Sequence, residues 1–328
     1  MPKKPSEGRQ NNLVYFLLAA WRCFIIPRFI RRMQRKILLH NWENRSDAEE
    51  IRNRVDFYCQ IPPNSKLNPD APRIKDIRLK NTHSKYFFDL MQFLRAYPKN
   101  LRLNLLDGDV WENPTFPTIT KARRINLPGA ENATILKLNY RRHFTRPFDP
   151  IPFENKIPKL IFRGETHGKP RREQLLKLWA DDPLCDLGDT TKKVISPWHK
   201  SPIPLTEHFK YMFVLAVEGN DLATATQWIL ASNCIPVMTA PSAEGWLMHS
   251  QLMPGVHYIQ IADDFHDLHS QLQYYISHPD EAKAISEQGK LWARQFQNRK
   301  TERIISHLTL QKHLLHTNST IAKFQNNT

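Results

Sequence analysis

Apolar residues recur along the chain with two different periods. Leu13, Phe16, Leu17, Trp21 and Phe24 repeat at helical spacing inside an apolar run over residues 13–26, which predicts an amphipathic helix. Residues 47–58 read as a second helix capped by Ser46 or Asp47. Phe87, Leu90, Met91 and Leu94 place a third over residues 86–97. Short apolar runs at residues 101–106 and 135–138 predict strands, the first ending at Asp107-Gly108-Asp109. Residues 60–83, rich in Pro and Asn, read as a loop.

Beyond Pro147, Pro150, Pro152 and Pro158, which mark a domain boundary, the pattern alternates faster. Strands are predicted over residues 159–162, 211–217, 235–238 and 256–261. Helices are predicted over 171–180, 222–231, 243–252, 267–277 and 279–296. Strand and helix at this pace imply βαβ units on a parallel sheet. The fold class expected is therefore α/β, with two Rossmann-like domains separated by the proline-rich hinge.

Composition narrows the choices. The chain has 328 residues, of which 41% are apolar. That is enough for a substantial core and excludes a wholly disordered chain. The net charge of +15 points to phosphate-bearing partners: nucleic acid, anionic lipid, lipopolysaccharide or sugar nucleotides. Cys23, Cys59, Cys185 and Cys234 are far apart with no C-x-x-C, so neither a zinc knuckle nor a redox pair is indicated, and a reducing compartment fits.

The 14 residues from 13 to 26 include Arg22 and fall short of the roughly 20 needed to span a bilayer. They are followed by Pro27 and then Arg28, Arg31, Arg32, Arg35 and Lys36 rather than by a small-residue cleavage site. Residues 13–36 thus suit a helix in the interface of an anionic membrane, or an amphipathic helix docked on the domain. Residues 1–12 are polar and basic and are expected to be mobile.

In an open α/β sheet ligands bind beyond the carboxyl ends of strands. At one such end Phe162-Arg163-Gly164 leads through Gly168 to Arg171 and Arg172. Guanidiniums on a flexible turn make a diphosphate clamp, or else a solvated basic loop. At another, Glu218-Gly219-Asn220-Asp221 precedes a helix. Gly219 permits close backbone approach, and Glu218 can accept from sugar hydroxyls; Asp221 can equally be a plain N-cap. Asp107 and Asp109 form a D-x-D that can hold a divalent metal, supply a general base, or simply make a turn. The fourteen histidines show no metal-ligand spacing, and neither G-x-S-x-G, P-loop nor G-x-G-x-x-G is present.

At these same segments the chain resembles glycosyltransferase family 90, and most of all its bacterial lipopolysaccharide-core branch of the LpsA type. That family also holds a capsule xylosyltransferase and protein O-glucosyltransferases. The stretches that carry the resemblance include Arg54-Val55-Asp56-Phe57-Tyr58, Lys85-Tyr86-Phe87-Phe88-Asp89, Gly108-Asp109-Val110 and Phe162-Arg163-Gly164. They continue with Lys210-Tyr211, Glu218-Gly219-Asn220-Asp221-Leu222-Ala223-Thr224, Glu244 with Trp246, and Pro254-Gly255-Val256-His257-Tyr258. Departures fall at Ala122, Gln227 and the stretch from Ala243 to His249.

The resemblance implies a GT-B-like architecture, with two Rossmann-like domains facing a cleft. Residues 1–45 would be the basic amphipathic extension and 46–150 the acceptor-side domain. Residues 151–284 would bind the nucleotide sugar, and 285–328 would supply C-terminal helices packing back on the N-terminal domain, ending in a disordered tail. It implies an inverting transfer from a UDP-sugar to a glycan hydroxyl, of lipopolysaccharide or lipooligosaccharide core, with Asp109 as base. Arg163, Gly164, Arg171, Arg172, Lys210, Tyr211, Glu218, Gly219, Asn220, Asp221, Thr224 and Glu244 would hold the donor. Asp107 falls where relatives carry an apolar residue, so no metal and no cofactor is expected. The place of action expected is the cytoplasm, extending to the inner face of the inner membrane. A non-catalytic binder of anionic glycan or lipid is the alternative; a nucleic-acid partner is not expected, for want of a basic-aromatic motif.

Overall fold

The computed structural model describes residues 12–144, 148–192 and 196–318. The expectations for residues 1–11, for Pro147 and for the last ten residues lie outside them. The helices run in order α1 (Asn12–Ala20), α2 (Arg28–Leu39), α3 (Ala48–Tyr58), α4 (Ser84–Leu94), α5 (Tyr140–His143) and α6 (Pro170–Trp179). They continue with α7 (Leu205–His208), α8 (Thr226–Leu230), α9 (Leu268–Ser277), α10 (Pro279–Arg294) and α11 (Arg299–Thr317). The strands are β1 (Asn104–Leu105), β2 (Thr118–Thr120), β3 (Ala122–Arg124), β4 (Ala133–Ile135) and β5 (Ile157–Gly164). Then come β6 (Cys185–Asp189), β7 (Tyr211–Leu215), β8 (Ile235–Met238), β9 (Ala243–Gly245) and β10 (Ile259–Gln260).

The chain forms two compact units. One comprises Gln10–Arg141, Ala243–Trp246 and Gln297–Thr328. Its parallel sheet has the order β1-β2-β4, and β3 pairs antiparallel with β9. α11 packs on α3, α2 and α4, burying Ile304, Ile305, Leu310 and Leu314 completely. Its start is fixed by Asn298, whose side chain accepts from the Lys300 and Thr301 amides.

The other unit comprises Arg142–Ser242 and Leu247–Phe296. Its five parallel strands have the order β10-β8-β7-β5-β6. The chain enters at β5, steps outward to β6, and then returns to the other side of β5 for β7, β8 and β10. This is a Rossmann-like doubly wound sheet whose direction reverses between β5 and β7, the place where such sheets bind ligands. β7 and β8 are apolar runs (Met212-Phe213-Val214-Leu215 and Ile235-Pro236-Val237-Met238) buried along almost their whole length. A strand covered on both faces requires that pattern.

Several local expectations are corrected. The helix expected over residues 243–252 is instead strand β9 followed by a short 3-10 turn, His249–Gln251; pairing with β3 overrides the local pattern. The helix expected from 222 shrinks to the five residues of α8, because residues 218–225 form an irregular loop. Asp221 therefore caps no helix. Strands expected over 101–106 and 256–261 shorten to two residues each, and the one expected at 135–138 lies over Ala133–Ile135. Neither Ser46 nor Asp47 caps α3 through its side chain; Asp47 pairs with Arg45 and Thr301.

Candidate functional site

The carboxyl ends of β5 and β7 enclose a cavity of about 130 Å³ in the second unit, at the reversal point of the sheet. Phe162, Arg163 and Gly164 line it from β5, and Val214 to Val217 from β7; Ala223, Thr224 and Trp228 close the far side. Arg172, on the first turn of α6, reaches in from the helix that joins β5 to β6.

Arg172 is the unusual member. Its guanidinium donates to two main-chain carbonyls, Glu165 O at 3.0 Å and Val217 O at 2.9 Å. Its buried Nε has no partner, and no carboxylate forms an ion pair with it among the described residues. Burial lowers its pKa from the ordinary arginine value, and Arg142 nearby pushes the same way. A half-buried cation held by carbonyls alone has unspent capacity for an anion. The N-terminus of α6 adds partial positive charge at the same end.

Arg163 lines the cavity but is already neutralised. It pairs with Asp186 at 2.8 Å. Burial pushes the Asp186 carboxyl up, yet hydrogen bonds from Lys200, Arg163 and Tyr211 outweigh it and hold the pKa down at about 2. Gly164 is required by packing: a Cβ there would sit 2.7 Å from the Phe162 ring. The following loop is shaped by Asp189, whose Oδ1 accepts from the Thr166 amide and from the Thr191 amide and hydroxyl. Gly168 closes that loop in a left-handed conformation, φ +70°.

The structure gathers several of the other expected residues around this cavity. Gly219 lies against Arg172, so a Cβ at that position would come within 3.2 Å of the guanidinium. Asn220 accepts from Lys169 Nζ at 2.5 Å. Glu218 accepts from the Ser242 amide at 3.0 Å and from its hydroxyl. Thr224 is half-buried on the cavity wall, and Asp221 is buried beside it in the chain.

Others stand apart. Arg171 turns away to Thr239 Oγ1 and Asp263. Lys210 and Tyr211 begin β7, at the end of the strand opposite the cavity; Lys210 pairs with Glu207 and Tyr211 donates to Asp186. Glu244 belongs to the first unit, where it forms a buried ion pair with Arg123 at 2.5 Å. Asp109 is also in the first unit, 2.6 Å from Lys121 Nζ. Asp107 accepts from the His83 amide and contacts its ring. The two aspartates of the D-x-D therefore have separate partners, and no three His, Cys, Asp or Glu side chains gather into a metal-holding group among the described residues.

The residues that sequence reasoning missed are Lys169, His208 and Ser242. Lys169 adjoins Pro170-Arg171-Arg172, so the basic run was a usable signal. His208 also lines the cavity, but nothing around it in the sequence marks it, and only the tertiary contact with Glu218 marks Ser242.

Comparison with known proteins bears on this arrangement. Residues 138–326 match glycosyl transferase family 90, which is more than half of the chain. The chain is 35% identical over 264 residues to O-glucosyltransferase LpsA of Dichelobacter nodosus, covering 80% of this chain and 82% of that protein. The chain belongs to glycosyl transferase family 90. Within it, the protein sits with the LpsA-type branch, and its chemistry is glycosyl transfer. A more distant relative is protein O-glucosyltransferase 2 of Danio rerio, 29% identical over 148 residues, which are 43% of this chain and 29% of that one. The family match contains the whole cavity and begins after Asp109.

Proposed function

We propose that this family 90 glycosyltransferase moves a sugar from a UDP-sugar to a hydroxyl of a lipopolysaccharide-type glycan, with inversion at the anomeric carbon. The observation that carries the donor half is Arg172, a cation with no carboxylate partner among the described residues, set in the cavity at the reversal point of the sheet. In the transfer the bond from the anomeric carbon to the diphosphate breaks, and negative charge grows on the departing UDP. Arg172 and the α6 N-terminus stabilise that charge. Gly219 lets the backbone approach the nucleotide, and Thr224, Asn220 and Glu218 supply polar groups at its edge. Arg163, Arg171, Lys210, Tyr211 and Glu244 act through the groups they hold in place rather than on the donor, and Asp221, buried in the same loop, stays among the groups expected to hold it.

On the acceptor side Asp109 takes the proton of the attacking hydroxyl as the new glycosidic bond forms. No metal is required: Asp107 is engaged by His83, and the leaving charge is met by Arg172. The lipopolysaccharide-type acceptor is supported by the D. nodosus relative and by the chain's +15 charge, suited to a phosphorylated glycolipid. The reaction belongs on the cytoplasmic side, where reduced thiols such as the four free cysteines persist.

The test is turnover. The purified protein, given a panel of UDP-sugars and truncated lipopolysaccharide, should release UDP and add one sugar to the acceptor, with or without EDTA. Binding of acceptor with no UDP release from any donor would favour the non-catalytic alternative.

A further inference from the structure

In a soluble protein an amphipathic helix turns its apolar stripe inward. α2 does the reverse. Phe29, Met33 and Ile37, spaced four apart on one stripe, face solvent; Phe29 is 69% and Ile37 68% exposed. Arg28, Arg31 and Arg35 of the same helix face the protein. Arg31 is only 7% exposed and donates to the Arg22 carbonyl at 2.8 Å. Arg28 donates to the Tyr97 carbonyl, and Arg35 lies over the Tyr97 ring at 4.6 Å. Arg95 returns the contact by donating to the Ile26 carbonyl. Burial holds the Arg28 and Arg31 pKa values below the ordinary value, as do the surrounding arginines. The fold thus tolerates desolvated guanidiniums in order to keep the apolar stripe outward.

The preceding segment exposes apolar side chains of its own. α1 and the five-residue π-helical turn Trp21–Ile25 leave Leu13, Leu17, Trp21 and Ile25 exposed. On the other side Tyr15 donates to Asp89 and Cys23 is buried, so the segment is anchored rather than loose. The helices bend by 104° at Ile26-Pro27, and no single helix among the described residues is long and apolar enough to cross a membrane. Scattered apolar residues on a surface need no explanation, but a run of large exposed apolar side chains over residues 13–37 marks a partner.

Charge identifies the partner. Between residues 13 and 42 there is no Asp or Glu, while Arg22, Arg28, Arg31, Arg32, Arg35 and Lys36 are basic. Arg22, Arg32 and Lys36 are exposed and adjoin the apolar stripe at helical-neighbour spacing. Trp21, exposed and followed by exposed Arg22, is a residue type that settles at headgroup level. We propose that α1, the π-helical turn and α2 are a monotopic docking face for an anionic lipid bilayer, lying in the interface without spanning it. The apolar stripe enters the acyl boundary and the three exposed cations meet lipid phosphates. This stands independently of the UDP-sugar reading.

The test is flotation of the full chain with vesicles of phosphatidylcholine alone or with about 30% phosphatidylglycerol. Wild type should float with the anionic vesicles and far less with the neutral ones. F29S/M33S/I37S should weaken binding at least about tenfold, and R32Q/K36Q should remove most of the preference for anionic lipid. Both variants change exposed side chains and should keep UDP affinity and melting temperature, which separates a docking defect from a donor-site defect. Hydrogen exchange on the wild type, which needs no variant, should show vesicle-induced protection confined to residues 13–37. No flotation of the wild type, or unchanged binding by the triple variant, overturns the proposal. So does a wild-type dimer that the triple variant breaks without any lipid binding, since a second copy would then be what covers the face.

Discussion

Lys121 Nζ lies 2.6 Å from Asp109 Oδ1, with the lysine side chain buried and the carboxylate partly open to solvent. A carboxylate oriented by an ion pair and partly reached by solvent suits a general base. Asp109→Asn should lower turnover about 10²–10⁴-fold while leaving UDP affinity unchanged. Lys121→Met, which removes this ion pair, should cost about 10²-fold in kcat and also spare UDP binding. Retention of most activity by Asp109→Asn would move the base elsewhere.

Glu302 on α11 is the centre of a buried ionic cluster in the first unit. It pairs with Arg54 at 2.7 Å and Lys137 at 2.5 Å, and accepts from Trp246 Nε1 at 2.6 Å. Tyr58 stacks on Trp246 with ring centroids 4.1 Å apart and donates to its carbonyl. Removing Glu302 takes an ion pair from each of two buried cations. Glu302→Ala should therefore lose about 3–5 kcal/mol in denaturant unfolding, a larger loss than that of an exposed pair such as Lys312–Asp56.

Asp89 should make stability depend on pH in an unusual direction. Burial raises its pKa to about 7, against the opposing hydrogen bonds from Tyr140 and Tyr15. The unfolded chain releases this proton near pH 4, so between about pH 4 and 7 the folded state holds more protons and stability falls as pH rises. His249, held by burial at about 4, acts oppositely, and its contribution is lost as pH drops below about 6.5. The comparison that isolates Asp89 is with Asp89→Asn, which can donate to the Tyr15 hydroxyl and accept from Tyr140. Relative to wild type, the variant should gain thermal stability steadily from pH 4.5 to 7.5. A difference that does not vary with pH would contradict the assignment.

Legibility in the sequence followed the range of the interactions. Strand β8 and helices α6, α9 and α10 were readable because continuous apolar runs and helical periodicity are local signals. β6 was not, because Asp186, Gly188 and Asp189 give it a polar face whose purpose is to hold Arg163 and the 164–168 loop. β9 read as a helix because its pairing with β3 joins Glu244 to Arg123, a contact 121 residues apart. The basic cluster after β5 was visible, but the sequence could not divide its members. Only the structure separates Arg163, neutralised by Asp186, and Arg171, turned toward Asp263, from Arg172, which pairs with no carboxylate among the described residues.

The central claim is that UDP binds through Arg172 at the reversal point of the sheet. Calorimetric titration of UDP into wild type and Arg172→Met, in EDTA, tests it most directly, with uridine as the phosphate-free control. UDP should bind the wild type and the substitution should weaken it about tenfold to a hundredfold, the loss expected for hydrogen bonds to a charged group, while uridine binds both proteins alike. Equal UDP affinity in the two proteins, or no UDP binding by the wild type at millimolar nucleotide, would contradict it.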